Sequence, residues 1–513
     1  MNCNTSPLTP YVPSATNPWD RKKATHLYKR LATGISPQTV NAALGQSPSD
    51  IVDVLFDEAL GLAPTTVPSW ATKSKKEYEN EGIEFDEINS DNMFEWQLQF
   101  LKDLQTNRLR ERMTLFWSNH FVTEKNSYRC GSYMVSYYEM LQTNALGNFK
   151  DFVHDIGLSD AMLAYLNGLD NTKQKPNENY ARELYELFTL GEENEDIEYT
   201  QQDIIETSKA LTGYNNRIDC EGVDGDCKCQ PIIYNPENFD NSVKTIFGLT
   251  GNWNYKDAID ILFSQKPLLI AKFIMGKLYR FFVSPQMNDD VVNELAEDFV
   301  NADFELIVPL KKLFKSEHFF DDKIIGTLIK SPIDYFINFL NVTGFSTDFD
   351  LERPSNQLFF NYARNMGQEL FQPVDVAGWQ GDYDWINTSS LVVRWESLSF
   401  YMWRLFNTRN DATGVPEEYR QFAKEVAASI SIDISNGNAF ADQLVLDIIH
   451  TFIPQGFTTE NDYEALITIF KEAGGTQPQY YTNGRWHLDY KGIPHQVYQL
   501  LEALIRIPEF QLN

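Results

Sequence analysis

The chain has 513 residues, 42% hydrophobic and 14% aromatic, and its 72 acidic against 43 basic residues give a formal net charge of −29. Such a length allows roughly two to four domains and a large core. The charge disfavours nucleic acid and anionic membrane surfaces as partners, because phosphate is repelled unless basic residues cluster; no run approaches the ~18 apolar residues of an inserted helix.

In chain order, residues 1–19 form a polar, Pro-rich arm that either hangs free or lies across the body. It lacks the basic and apolar regions of a secretory signal, so the expected location is cytoplasmic, with export by another route left open. From residue 20 onward, apolar residues recur at three- and four-residue intervals. The spacing predicts helices over residues 20–33, 37–45, 49–59, 94–105, 108–121, 130–145, 148–155, 159–166, 178–190 and 201–212. It continues with helices over 256–264, 267–283, 290–302, 305–315, 332–342, 355–365, 388–406, 417–429, 438–452, 460–472 and 495–506. Residues 65–92 read as a polar connection, and strand patterns are confined to 218–234 and the neighbourhood of 243–246. The expected fold is mostly α, a large multi-helix bundle with at most a short β-hairpin. A polar stretch at residues 407–416, NTRNDATGVP, divides a main helical domain (20–406) from a C-terminal helical subdomain (417–513) packed on it.

Three regions carry candidate chemistry. The helix over 108–121 ends in FWSNHF, where Met113, Phe116, Trp117 and His120 share a face. His120 is either a satisfied core histidine or the best available general base; its neighbour Asn119 orients a ligand or caps the helix end. The segment NENYARELYELFTLG, residues 177–191, places polar groups at the edge of an apolar stripe. At 100° per residue, Tyr180, Leu184, Leu187 and Phe188 define the core face, Asn179, Glu183, Glu186 and Leu190 an adjoining stripe, and Glu178, Arg182 and Thr189 the opposite side. Glu183 and Glu186 are neighbours, so they raise one another's pKa, hold a divalent cation, or pair with an arginine. The same pattern fits a hydrogen-bonded network locking one helix to the bundle. The third region runs from Met366 through Gln368, Trp379, Trp385 and Asn387 to Arg394. Its tryptophans either stack on a flat polar ligand, hydrogen-bonded by Gln368, Asn387 and Arg394, or plug a gap between helices.

Cys220, Cys227 and Cys229 share one loop, for which a disulfide from Cys220 to Cys227 or Cys229, a thiolate metal site and a plain exposed loop all fit. Nothing in the chain has the form of a P-loop, a dinucleotide fingerprint, a nucleophile elbow or a His-Glu-x-x-His zinc helix.

Together these segments resemble a bacterial family, domain of unknown function 1800. The resemblance rests on His26-Leu27-Tyr28-Lys29-Arg30, on Trp117 to Phe121, on residues 177–191, on residues 199–214, on the Gly367-Gln368, Val376-Ala377-Gly378-Trp379 and Trp385-Ile386-Asn387 blocks, and on the ending Ile507-Pro508-Glu509-Phe510. The resemblance implies a helical fold and a shared polar centre, and brings no established activity. Where members often carry His-Asp ahead of Lys and Gly, this chain has Phe239-Asp240 ahead of Lys244 and Gly248. Two functional expectations follow. One is a hydrolase or transferase acting on a polar polymer or glycan, with His120, Glu183, Glu186 and Arg182 at the reaction centre and Asn119, Asn179, Gln368, Trp379, Trp385, Asn387 and Arg394 lining the cleft. The other is a non-catalytic helical scaffold that docks a protein partner, for which the resemblance suggests a domain-of-unknown-function-1501 protein.

Overall fold

The computed structural model describes residues 5–73, 75–192, 199–217, 229–347, 355–408 and 416–513. Among them are 24 α-helices and two antiparallel pairs of short strands. Helix starts follow local chemistry. Asp20, Ser36, Asn148, Ser159, Asn288 and Ser331 each accept a backbone N–H of the first turn, and Thr200 with Asp203 and Asn254 with Asp257 close capping boxes. Proline opens the helices Pro37–Ala43, Pro48–Gly61, Pro267–Phe282 and Pro332–Thr343, where its missing N–H leaves nothing unpaired.

Every helix the apolar spacing predicts is present. Within 65–92, however, the Phe85–Thr106 helix already begins, its first turns too polar to show a stripe. One strand pair joins Tyr214–Arg217 to Ile232–Tyr234, and a second joins Lys244–Ile246 to Leu249–Gly251. The N-terminal arm lies across the body: Tyr11 N donates to Lys315 O, Glu317 N to Thr9 O and His318 N to Pro7 O, while Leu8 and Tyr11 are buried.

One apolar cluster runs from Leu8 to Phe510. Its aromatic centre is Trp117, with Phe121 and Phe149 stacked on it and Phe152 edge-on at 5.4 Å. No helix of the described residues is long and apolar enough to cross a membrane.

Of the cysteine alternatives, the Cys220–Cys229 disulfide is corrected. Cys229 is bonded to Cys130, 99 residues away, at the start of the Gly131–Thr143 helix, while Cys220 and Cys227 lie outside the described residues. Nothing in local spacing signals so distant a pairing. Tyr133 Oη donates to Gln230 O at 2.5 Å beside the bridge. A Cys130→Ser variant should lose about 2–5 kcal/mol of unfolding free energy, the usual effect of opening a long loop. Peptide mapping without reductant should recover the linked 130 and 229 peptides, and separate thiol peptides from freshly purified protein would refute the pairing.

Candidate functional site

The segment at residues 177–191 is not one regular helix. An α-helix over Asn179–Glu183 passes into a π-helix over Leu184–Thr189, in which Leu190 N donates to Tyr185 O, five residues back, at 2.8 Å. Each wider turn shifts the faces, and such insertions recur at functional sites. Tyr185 and Thr189 are therefore buried beside Tyr180, Leu184 and Phe188, whereas Leu187 is only half-buried. Tyr185 Oη and Thr207 Oγ1 are 2.5 Å apart, and Thr189 Oγ1 donates to Leu184 O.

The end of this segment presents two carbonyls inward. His120 Nε2 is 3.0 Å from Phe188 O, and Lys277 Nζ donates to Leu187 O at 3.3 Å. A carbonyl only accepts, so His120 carries its proton on Nε2. Its Nδ1 lone pair then receives a hydrogen bond from Lys277 Nζ, 3.3 Å away. Both ring nitrogens are thus engaged, and the ring is buried among Phe116, Trp117 and Phe121. Burial and the Lys277 charge hold the imidazole pKa well below its ordinary value. Burial, with Arg280 nearby, lowers the Lys277 ammonium from 10.5 to about 8. Lys277 was not among the sequence candidates. The signal available was a lysine flanked by Phe273, Ile274, Leu278 and Phe281 in a mostly apolar helix.

Asn119 is committed to the third region. Its Oδ1 accepts Trp379 N at 2.6 Å and its Nδ2 donates to Trp379 O at 3.0 Å, a two-way clamp on one loop residue. Gly378 makes this approach possible: its φ is +81°, and a Cβ there would stand 2.4 Å from Asn119 Oδ1. The FWSNHF helix end, the π-helix and the Trp379 loop therefore meet around Asn119 and His120.

The carboxylates lie nearer the surface. Arg182 donates to Glu186 at 3.1 Å, Glu178 at 3.3 Å and Gln201 at 2.9 Å, and Gln201 Nε2 donates to Glu178. Asn179 Nδ2 donates to Asn167 Oδ1. Glu183 is half-buried and accepts no hydrogen bond from the described residues; burial and then the Glu186 charge raise its pKa, against Arg182. Tyr165 lies close enough to Glu183, Glu124 and Asp375 for their charges to add to burial in pushing its phenol up to about 12. Among the described residues, no group of three or more His, Cys, Asp or Glu is placed to hold a metal ion.

The other candidates gather elsewhere, around the start of the Pro332–Thr343 helix. Buried Gln368 accepts Ile333 N at 2.8 Å. Asn387 Oδ1 accepts Ser389 N and Ser390 N, capping the Thr388–Thr408 helix. Arg394, fully buried, donates to Lys330 O at 2.7 Å, and the Trp385 indole is buried here, as that of Trp379 is beside Asn119.

The model of a family described as a protein of unknown function, DUF1800, matches residues 26–512. The chain belongs to this family. It matches no curated protein and no solved structure. Where many DUF1800 chains are expected to carry His-Asp, Phe239 here lies against Lys244, whose Nζ is 5.0 Å from the ring centroid. That buried ammonium also donates to Asp240 O and Ser242 O, so Phe239 supports the first strand of the second pair.

Proposed function

We propose that the chain is a non-catalytic helical scaffold, in which the His120 centre locks three segments together. The observation that carries this reading is the engagement of both His120 nitrogens inside the core, by Lys277 and by Phe188 O. A base needs a free lone pair near a substrate proton, and this one is already occupied. Lys277→Met removes the donor to both His120 Nδ1 and Leu187 O and, at about pH 9.5 where the buried amine is neutral and carries no charge penalty, should lower the unfolding free energy by about 1–3 kcal/mol. Urea unfolding showing no loss in Lys277→Met and in His120→Phe would sink the lock. The partner suggested by family resemblance, a domain-of-unknown-function-1501 protein, is tested by co-elution of the two purified chains. The Cys130–Cys229 bridge supports an oxidising compartment as the place of work rather than the reducing cytoplasm.

One observation favours the second reading, a hydrolase or transferase on a polar polymer or glycan. Glu183 is half-buried and accepts no hydrogen bond among the described residues, and burial raises its pKa, the direction that suits a carboxyl proton donor. Because its folded pKa exceeds its unfolded one, Glu183 adds stability only as pH falls toward the carboxylate range, and none is lost at neutral pH on neutralising it. Glu183→Gln should therefore leave the pH 7 unfolding midpoint unchanged or slightly raised. Loss of turnover on a glycan panel in that variant, with stability intact, would replace the scaffold reading by this one.

A further inference from the structure

A second polar centre lies deep in the fold, away from the residues that hold His120. The helix Arg21–Ala32 is buried almost all round and carries Lys29 and Arg30 inward. They meet Arg112, Lys330 and Arg394, each at most 3% exposed, around one carboxylate of the described residues, Asp334. Arg112 Nη1 donates to Asp334. The remaining four cations end on neutral carbonyls: Lys29 on Phe452 O and Leu512 O, Arg30 on Ile324 O, Lys330 on Phe510 O and Arg394 on Lys330 O.

Charge decides what this arrangement implies. Buried cations without counter-charge are strongly unfavourable. The two lysines can relieve that by releasing protons, but arginine keeps its charge in proteins. Three guanidiniums against one carboxylate leave two positive charges uncompensated. The same two residues have unused donors: Nε and Nη1 of Arg30 and of Arg394 are buried and make no hydrogen bond among the described residues. Both side chains feel the Asp334 carboxylate, and Lys29 and Lys330 feel Arg30 and Arg394 respectively, so the groups form one electrostatic neighbourhood.

We propose that this cluster binds a tetrahedral oxyanion of the phosphate or sulfate class, held by the open nitrogens of Arg30 and Arg394 beside the Arg112–Asp334 pair. A doubly charged oxyanion balances the two excess guanidiniums and takes several N–H donors at once.

The test uses the full-length chain purified in chloride buffer. Acid denaturation followed by ion chromatography of the filtrate should release phosphate or sulfate in near-stoichiometric amount. If the ion is lost on purification, thermal unfolding should show a saturable rise of a few degrees with low millimolar phosphate or sulfate and none with chloride at matched ionic strength. Low concentrations separate this from general salting-out. Arg394→Met should abolish the rise. No released oxyanion together with equal midpoints in all three salts would overturn the proposal, as would an undiminished rise in a folded Arg394→Met protein. Should that variant not fold, the wild-type chromatography and salt series decide alone.

Discussion

Replacing Asp334 by Asn should cost about 3–5 kcal/mol of unfolding free energy, the range for removing one partner of a buried ion pair. Among the described residues, Asp334 is the only carboxylate at the five buried cations, and Arg112 donates directly to it. Asparagine keeps the size and one acceptor but removes the charge that the guanidiniums face. Urea unfolding in chloride buffer measures the effect. The double variant Arg112→Met, Asp334→Leu should lose much less than the single one, because it leaves no new unpaired charge at that pair. A loss below ~1 kcal/mol in Asp334→Asn would show that the cluster is solvated rather than buried.

Stability should rise from pH 7 to about pH 9.5 and then fall, an unusual profile for so acidic a chain. Burial and the Arg394 charge lower Lys330 from 10.5 to about 7, and burial lowers Lys277 to about 8. Below pH 7 these lysines are protonated folded and unfolded alike, so the whole penalty of burying the charge is present. Between pH 7 and 10.5 the unfolded chain binds more protons than the folded one, and stability therefore increases with pH. Lys330 alone accounts for about 3 kcal/mol of the rise up to pH 9.5. Above pH 10 the sign reverses: burial raises Tyr128, Tyr180, Tyr185 and Tyr335, so the unfolded chain loses phenolic protons first. Denaturation midpoints in chloride buffers across this range check the profile, and Lys330→Met should flatten its rising limb. A flat or falling limb in the wild type would contradict the burial of these lysines.

The helical architecture was legible because amphipathic spacing survives in the sequence wherever a helix packs on one side. It failed at Phe85, where EFDEINSDNMF opens a helix with few apolar positions, and at residues 184–189, where the π turn breaks the 100° rule on which the wheel rests. Asn119 and His120 were visible as polar residues ending an apolar helix, but their partners were not. Lys277 and the Trp379 backbone come from segments far along the chain, and no periodicity encodes that meeting. Lys29 and Arg30 illustrate the same limit. In sequence they stood only as part of the His26–Arg30 motif, and the enclosure of that helix on nearly all sides is what makes them buried charges.

The Cys130–Cys229 bond also has a consequence for integrity. It closes a covalent ring of chain from Cys130 to Cys229 that contains His154, Tyr180, the π-helix and the first strand of the first pair, Tyr214–Arg217, but not its partner strand Ile232–Tyr234. A protease that cuts one peptide bond anywhere inside that ring leaves a single molecule of unchanged migration until reductant is added. Damage to the segment that holds His120 would therefore pass unnoticed on a non-reducing gel, and the two pieces, still tethered, would keep their chance of remaining docked.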